Sequence, residues 1–230
     1  MKTILFAGQS MRLDASGILF WPEHQIAVVA DLHLEKATYF ARHGQLLPPQ
    51  ESYHTLFKLQ NVLSRVSCRS LILLGDSFHD ANGFARLNAP ARHLWDQLRA
   101  RYTVTFVRGN HDGAVVPPHC HGRDYLEWAG IHFRHQARLE AVAEISGHYH
   151  PKACLRLHGS RITRPCFIVD TKRMILPAFG SLTGGMDVRS EAISNLFASE
   201  SVVHLLGEHT IYSVPLNKLA GSKRPEHRSN

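Results

Sequence analysis

The chain has 230 residues, 44% hydrophobic and 20% charged, the ordinary balance of a soluble globular protein with room for one large domain. No apolar run approaches the roughly 20 residues that span a bilayer, and the opening Ile4-Leu5-Phe6-Ala7-Gly8 is too short for a signal segment, so no membrane association and a cytoplasmic location are expected. Lys and Arg outnumber Asp and Glu by 26 to 19; the net charge of +7 favours a polyanionic partner, although an arginine-rich composition set by a GC-rich genome gives the same excess.

Met11 and Leu13, then Ile18 and Phe20, alternate with other residues around the turn Ala15-Ser16-Gly17 and predict a β-hairpin. Ile26 to Ala30 is a continuous apolar run, the mark of a strand buried on both faces, and it ends at Asp31. The same grammar recurs at Leu71–Leu74 before Gly75-Asp76, at Val104–Val107 before Arg108-Gly109-Asn110-His111, at Ile131–Phe133 before Arg134-His135, and at Ala143–Ser146 before Gly147-His148. Helices are predicted between them. Ser52 to Val66 aligns Leu56, Leu59, Leu63 and Val66, and Pro90 to Arg101 aligns Leu94, Trp95 and Leu98. Strand–helix alternation argues for an α/β layered fold, whose ligands gather beyond the carboxyl ends of the strands. Arg156–Arg164, Phe167–Asp170, Met174–Phe179 and Thr210–Val214 read as further strands of a second sheet packed on the first. Lys218 to Asn230 is polar and reads as a frayed tail. Cys68, Cys120, Cys154 and Cys166 fit no zinc or redox spacing and are expected as free thiols of a reducing compartment.

The strand ends carry the chemistry. Asp31-Leu32-His33, Gly75-Asp76, Gly109-Asn110-His111-Asp112, Arg134-His135 and Gly147-His148-Tyr149-His150 offer Asp31, His33, Asp76, Asn110, His135, His148 and His150 as metal ligands, with His111 to spare. Two carboxylates, one amide oxygen and four imidazoles suit two divalent cations that share a carboxylate. Asp76 is the candidate bridge, because the preceding glycine leaves room for close approach. Singly, each residue has an ordinary reading: Asp31 as a helix cap, Gly109-Asn110 as a turn, His135 as a satisfied core histidine. The ordered set makes those readings a chain of coincidences.

From Ile26 to Pro151 the set resembles the calcineurin-like metallophosphoesterase superfamily. The resemblance implies a single α/β domain over residues 1–217, a four-layer αββα sandwich with two mixed sheets flanked by helices, followed by a flexible basic tail over 218–230. It also implies one metal on Asp31, His33, Asp76 and His150, a second on Asp76, Asn110, His135 and His148, and His111 as the acid that protonates the leaving oxygen. Many phosphatases of the superfamily have Gly-Asp-x-x-Asp, whose second Asp orients that histidine. Here His79 takes its place, with Asp80 one residue late, and Gly75-Asp76-Ser77-Phe78-His79 looks like the double-strand-break repair nucleases instead. There the histidine helps to orient phosphate and nucleotide.

The closer resemblance is to the DNA ligase-associated metallophosphoesterases. It rests on Asp31–Lys36, Gly75–His79, Arg108–Asp112, Gly147–Pro151, Arg164–Phe167 and Leu176–Gly185. It implies a manganese-dependent phosphodiesterase, iron or zinc being alternatives, that cuts single-stranded or damaged DNA endonucleolytically in repair. A helicase, an exonuclease and an ATP-dependent DNA ligase would act in the same cluster. Lys36, Arg42 and Arg108 lie near the motif loops and could contact DNA phosphates or be solvated charges. A nucleotide or cyclic-nucleotide phosphohydrolase is the alternative enzyme, and a scaffold that keeps the fold without catalysis is the non-enzymatic one.

Overall fold

The computed structural model describes residues 1–140, 143–157 and 160–219. Two mixed sheets lie face to face. In the first, β1 (Lys2–Phe6), β2 (Gln9–Leu13) and β3 (Leu19–Trp21) are antiparallel, and β4 (Ile26–Val29), β5 (Ser70–Leu74), β6 (Thr103–Val107) and β7 (His121–Arg123) follow in order as parallel neighbours. The second runs β15 (Ile211–Pro215), β14 (Val202–Leu206), β12 (Ser160–Val169), β13 (Arg173–Ile175), β10 (Glu144–Ser146), β9 (Ile131–Arg134) and β8 (Tyr125–Trp128). A further strand, β11 (Lys152–Leu157), pairs antiparallel with β12.

Alternate residues of the central strands feed different cores, as a period of two requires. Ala27, Val29, Leu71, Leu73, Val104 and Phe106 point to α2 (Glu51–Leu63) and α4 (Ala89–Arg101), meeting Leu56, Leu59, Leu63, Leu94, Trp95 and Leu98. Ile26, Val28, Ala30, Ile72 and Leu74 point the other way, to Phe133, Ile145, Phe167 and Met174 of the second sheet. This two-sided burial is why those strands read as unbroken apolar runs. The fourth layer is thin. One short helix, α5 (Glu191–Ser194), with Leu196 and Phe197 beyond it, covers Ile168, Ile175 and Val203. No described helix is long and apolar enough to cross a membrane.

The hairpin over Met11–Phe20 and the two long helices stand where the sequence puts them, except that α2 ends at Leu63 and Val66 packs from the turn beyond. Several expectations are corrected. The second sheet begins before His150, since β8, β9 and β10 belong to it. Arg156–Arg164 is no single strand: it spans parts of β11 and β12, the residues between which lie outside the described ones, and β12 runs on to absorb Phe167–Val169. Past Ile175 the Met174–Phe179 stretch leaves the ladder, except for a bridge from Ala178 to Ala30. Lys218 closes a short turn and Leu219 is buried; the rest of the 218–230 tail lies outside the described residues. The helix α1 (Lys36–Arg42), the short α3 (Gly83–Arg86) and strands β1 and β14 carried no expectation.

Candidate metal centre

All five motifs sit at carboxyl ends of strands, but those strands come from both sheets. Asp31 follows β4, Asp76 follows β5, and Asn110 and His111 follow β6; His135 follows β9, and His148 and His150 follow β10. The first two loops run side by side. The Asp31 N–H donates to the Gly75 carbonyl at 3.1 Å, His33 to Asp76 at 2.9 Å and Leu34 to Ser77 at 2.9 Å. The His148 N–H crosses to the Asp31 carboxylate at 2.9 Å, which joins the two sheets at the site. Gly75 leaves the room its position called for, because a methyl there would overlap the His135 ring.

The backbone is bent into an uncommon form to present these side chains. Asp31, His33, Asp76, His148 and His150 have φ of 55°, 47°, 46°, 71° and 46°, the left-handed region that L-residues rarely enter. Side chains two apart are thereby presented from a single loop, Asp31 and His33 to the same ligand group, His148 and His150 to one group each.

Among the described residues, three groups of possible ligands converge: Asp31, His33 and His150; Asp76, His135 and His148; and an all-imidazole group of His33, His79 and His111, of which the first two hold a carboxylate each. In the first, His33 Nε2 is 3.2 Å from His150 Nε2, which lies 3.4 Å from Asp31 Oδ1. In the second, His135 Nε2 faces Asn110 Oδ1 at 2.9 Å, His148 Nδ1 at 3.1 Å and Asp76 Oδ2 at 3.3 Å. A single ring nitrogen with at most one hydrogen cannot satisfy three such partners. Donor atoms converging on a point, all oxygen or imidazole and none thiolate, fit a divalent cation in each set. Asp76 Oδ2 is also 3.9 Å from His33 Nε2, so its carboxylate stands between the two sets.

Ligand duty needs carboxylates ionised and imidazoles neutral, and the electrostatics of Asp76, His33 and His148, though not of His135, run that way. Burial pushes Asp76 up, but the hydrogen bond and charge of His135 and the His111 N–H outweigh it and bring the pKa to about 2. Burial lowers His33 to about 3, with His150 and His111 adding to it against the opposing pull of Asp76. His148 is lowered by burial and by His135. Burial also pulls His135 down, but Asp76 and Asp31 outweigh it and hold that ring above the ordinary range.

His111 flanks the cluster with its side chain 40% exposed, reachable by substrate, and its Nε2 3.9 Å from Asp76 Oδ2. Its Nδ1 lies 3.0 Å from the His79 carbonyl oxygen, and the two rings stack at 5.1 Å and 22°. The His79 ring fills the space between His111 and the α1 aromatics Tyr39 and Phe40. Burial, then His111 and Lys36, lower its pKa to about 4. Asp80 turns away to an ion pair with Arg86, so it does not orient His111.

Three residues were missed as parts of the site. Buried Asp112 accepts the N–H groups of Phe78 and Gly109, each at 2.9 Å, and ties the β5 loop to the β6 loop; burial pushes its pKa up to about 6. Its signal was the fourth place of Gly109-Asn110-His111-Asp112. Arg86 bonds Asp80, Thr38 Oγ1 at 3.0 Å and the Glu35 carbonyl at 3.4 Å, stapling the β5 loop to the start of α1; nothing in the sequence marked it. Gly180 lies against the Leu32 carbonyl, where no side chain fits, and its N–H bonds the Asp31 carbonyl at 3.2 Å. Of the three candidate phosphate contacts, Lys36 is close enough to lower both His33 and His79. Arg42 is exposed at the far end of α1, and Arg108 is engaged by Asp124 at 2.6 Å.

The sequence profile of calcineurin-like phosphoesterases matches residues 24–173. Among solved structures the chain is similar to the nuclease MPE of Pseudomonas putida, at 30% identity and a TM-score of 0.72, covering 92% of this chain and 99% of that one. Vacuolar Protein Sorting 29 of Cryptosporidium parvum is 14% identical with a TM-score of 0.37, covering 82% of this chain and 94% of that one. Among curated proteins none matches.

Proposed function

The chain belongs to the calcineurin-like phosphoesterase family, and from that premise we propose that it is a phosphodiesterase with two divalent cations, most simply manganese, that cuts DNA endonucleolytically in repair. The observation that carries the reading is the pair of ligand sets meeting at Asp76, with an accessible imidazole, His111, beside them. The DNA substrate is supported by the His79 ring at the place where a phosphatase would have Asp, by the charge of +7 and by the likeness to a nuclease.

When bound, the two cations supply charge stabilisation on the attacking and leaving oxygens of an in-line displacement at phosphorus. The protein does the rest. Asp31, His33, Asp76 and His150 would hold one cation, and Asp76, Asn110, His135 and His148 the other. His111 donates its Nδ1–H to the His79 carbonyl, which fixes the ring and leaves Nε2 to carry the proton for the leaving oxygen. The His79 ring stacks on His111 and positions the nucleotide beside the scissile phosphate. Asp112 keeps the two carrying loops in register.

The test is a substrate panel with manganese: closed circular single-stranded DNA, nucleoside monophosphates and an aryl phosphodiester. Circular DNA has no ends, so its cutting requires endonuclease action. Cutting of the circle supports the reading. Efficient monophosphate hydrolysis with the circle intact favours a nucleotide phosphohydrolase, and inactivity on every substrate with metal bound favours a scaffold.

A further inference from the structure

The 178–183 segment has two faces. One lies on the metal loop, where Phe179 and Gly180 donate N–H groups to the carbonyls of Ala30 and Asp31. The other walls a cavity of about 660 Å³ completed by α2, the β11–β12 hairpin and the turns after β2 and β14. None of the seven ligand candidates lines it, so it is a separate space that shares a wall with the centre.

Three cations line this cavity from three elements: Lys58 on α2, Lys152 on β11 and Arg164 on β12. Five arginines elsewhere pair with carboxylates: Arg86 with Asp80, Arg99 with Asp96, Arg108 with Asp124, Arg134 with Glu144 and Arg189 with Asp187. Among the described residues, these three side chains have no ion-pair partner. Lys58 Nζ instead sits 4.0 Å over the Phe179 ring, and Asp14 is felt by it from beyond ion-pair reach. The cavity's one acid, Glu208, is exposed at the rim with His209 Nε2 3.8 Å away. Three like charges against one exposed acid raise the local potential and attract an anion. They come from three different elements, and Lys152 follows the ligand candidate His150 by two residues.

We propose that this cleft is a second phosphate subsite, which holds the backbone of a DNA strand away from the phosphate at the metal centre. The proposal rests on the DNA-cutting reading. It turns the diffuse basic charge into a defined track past the 178–183 wall, and it assigns Lys58 and Arg164 to strand binding.

The experiment measures equilibrium binding of a labelled single-stranded oligonucleotide to the metal-loaded protein across a salt series, together with KM and kcat for its cleavage. Lys58→Gln with Arg164→Gln changes exposed positions, and thermal melting checks that the double variant stays folded. Its affinity should fall, KM should rise more than kcat falls, and the log–log salt slope should become shallower by about 0.7 for each single-strand phosphate that the variant no longer neutralises. Lys58→Arg should restore most of the loss from Lys58→Gln, while Arg99→Gln on α4 removes the same charge elsewhere and should leave affinity as it was. Wild-type affinity and slope in the double variant would overturn the subsite and leave the DNA reading standing, as would an equal loss from Arg99→Gln. A wild-type protein that hydrolyses the aryl diester but neither binds nor cuts DNA would overturn the DNA reading itself, and the subsite with it.

Discussion

His111 is tethered by the main chain of His79: its Nδ1 lies 3.0 Å from the His79 carbonyl oxygen, while the two rings stack at 5.1 Å. One residue thus does two separable jobs. The carbonyl fixes the tautomer of His111, and the ring shapes the space beside it. Substitution at position 79 removes the second job and leaves the first.

His79→Ala should therefore keep His111 oriented and lose nucleotide positioning. Cutting of DNA should fall more than hydrolysis of a small aryl diester, measured as kcat/KM on both. An equal fall would mean that the ring supports the loop rather than the substrate.

His111→Ala should keep its metals, because the Asp76 bridge does not need the imidazole. Esters with poor leaving groups should slow by roughly 10²–10⁴-fold, the usual worth of general acid catalysis, and activated aryl esters by much less. Leaving-group dependence read against metal analysis separates this from a role in holding phosphate.

Asp76→Ala removes the carboxylate that stands between both ligand sets and the acceptor of the His111 N–H at 2.9 Å. Hydrolysis should drop to background and bound metal should decrease, as followed by elemental analysis after gel filtration. Full rate with full metal content would contradict a shared carboxylate.

Arg86→Ala cuts the staple between the β5 loop and α1. Loss of hydrogen bonds to a charged group costs about 1.5–3 kcal/mol, which chemical denaturation can measure. Activity should fall as well, through Glu35 and His79, whose backbones flank the severed staple. A stability change without an activity change would confine Arg86 to the scaffold.

The four thiols should react in a fixed order with an alkylating reagent on the native protein, since thiolate is the reactive form. Arg161 beside Cys154 lowers its pKa, burial raises Cys68, burial pushes Cys120 up to about 11, and burial raises Cys166 most. Cys154 should label first and Cys166 last, and raising the pH toward 9 should speed Cys154 before Cys120. Peptide mapping by mass spectrometry gives the order directly.

The candidate ligands could be picked out because each is announced locally, by a strand that ends in a short polar motif. Their distribution over two sheets was not. Ile131–Arg134 and Glu144–Ser146 look the same whichever sheet they join, and only their parallel pairing with each other and with β13 decides it. Helix α1 escaped because Ala37 is its only buried residue, so there is no apolar stripe to read. β12 misled in the opposite way: its first five residues are exposed with two arginines among them, its last four are buried, and a ten-residue strand reads as two. Arg86 and Gly180 act through neighbours distant in sequence, Thr38 and Glu35 for the one and Leu32 for the other, which no local pattern encodes.

The left-handed φ of Asp31, His33, Asp76, His148 and His150 sets the backbone's own preference against the side chains it must present. Each such residue costs roughly 1–2 kcal/mol that glycine would not incur. The centre is locally frustrated by construction. Selection of variants for heat resistance alone would drift toward glycine at these positions and strip the candidate ligands in the same steps. Thermostability and metal chemistry thus compete at the same five codons.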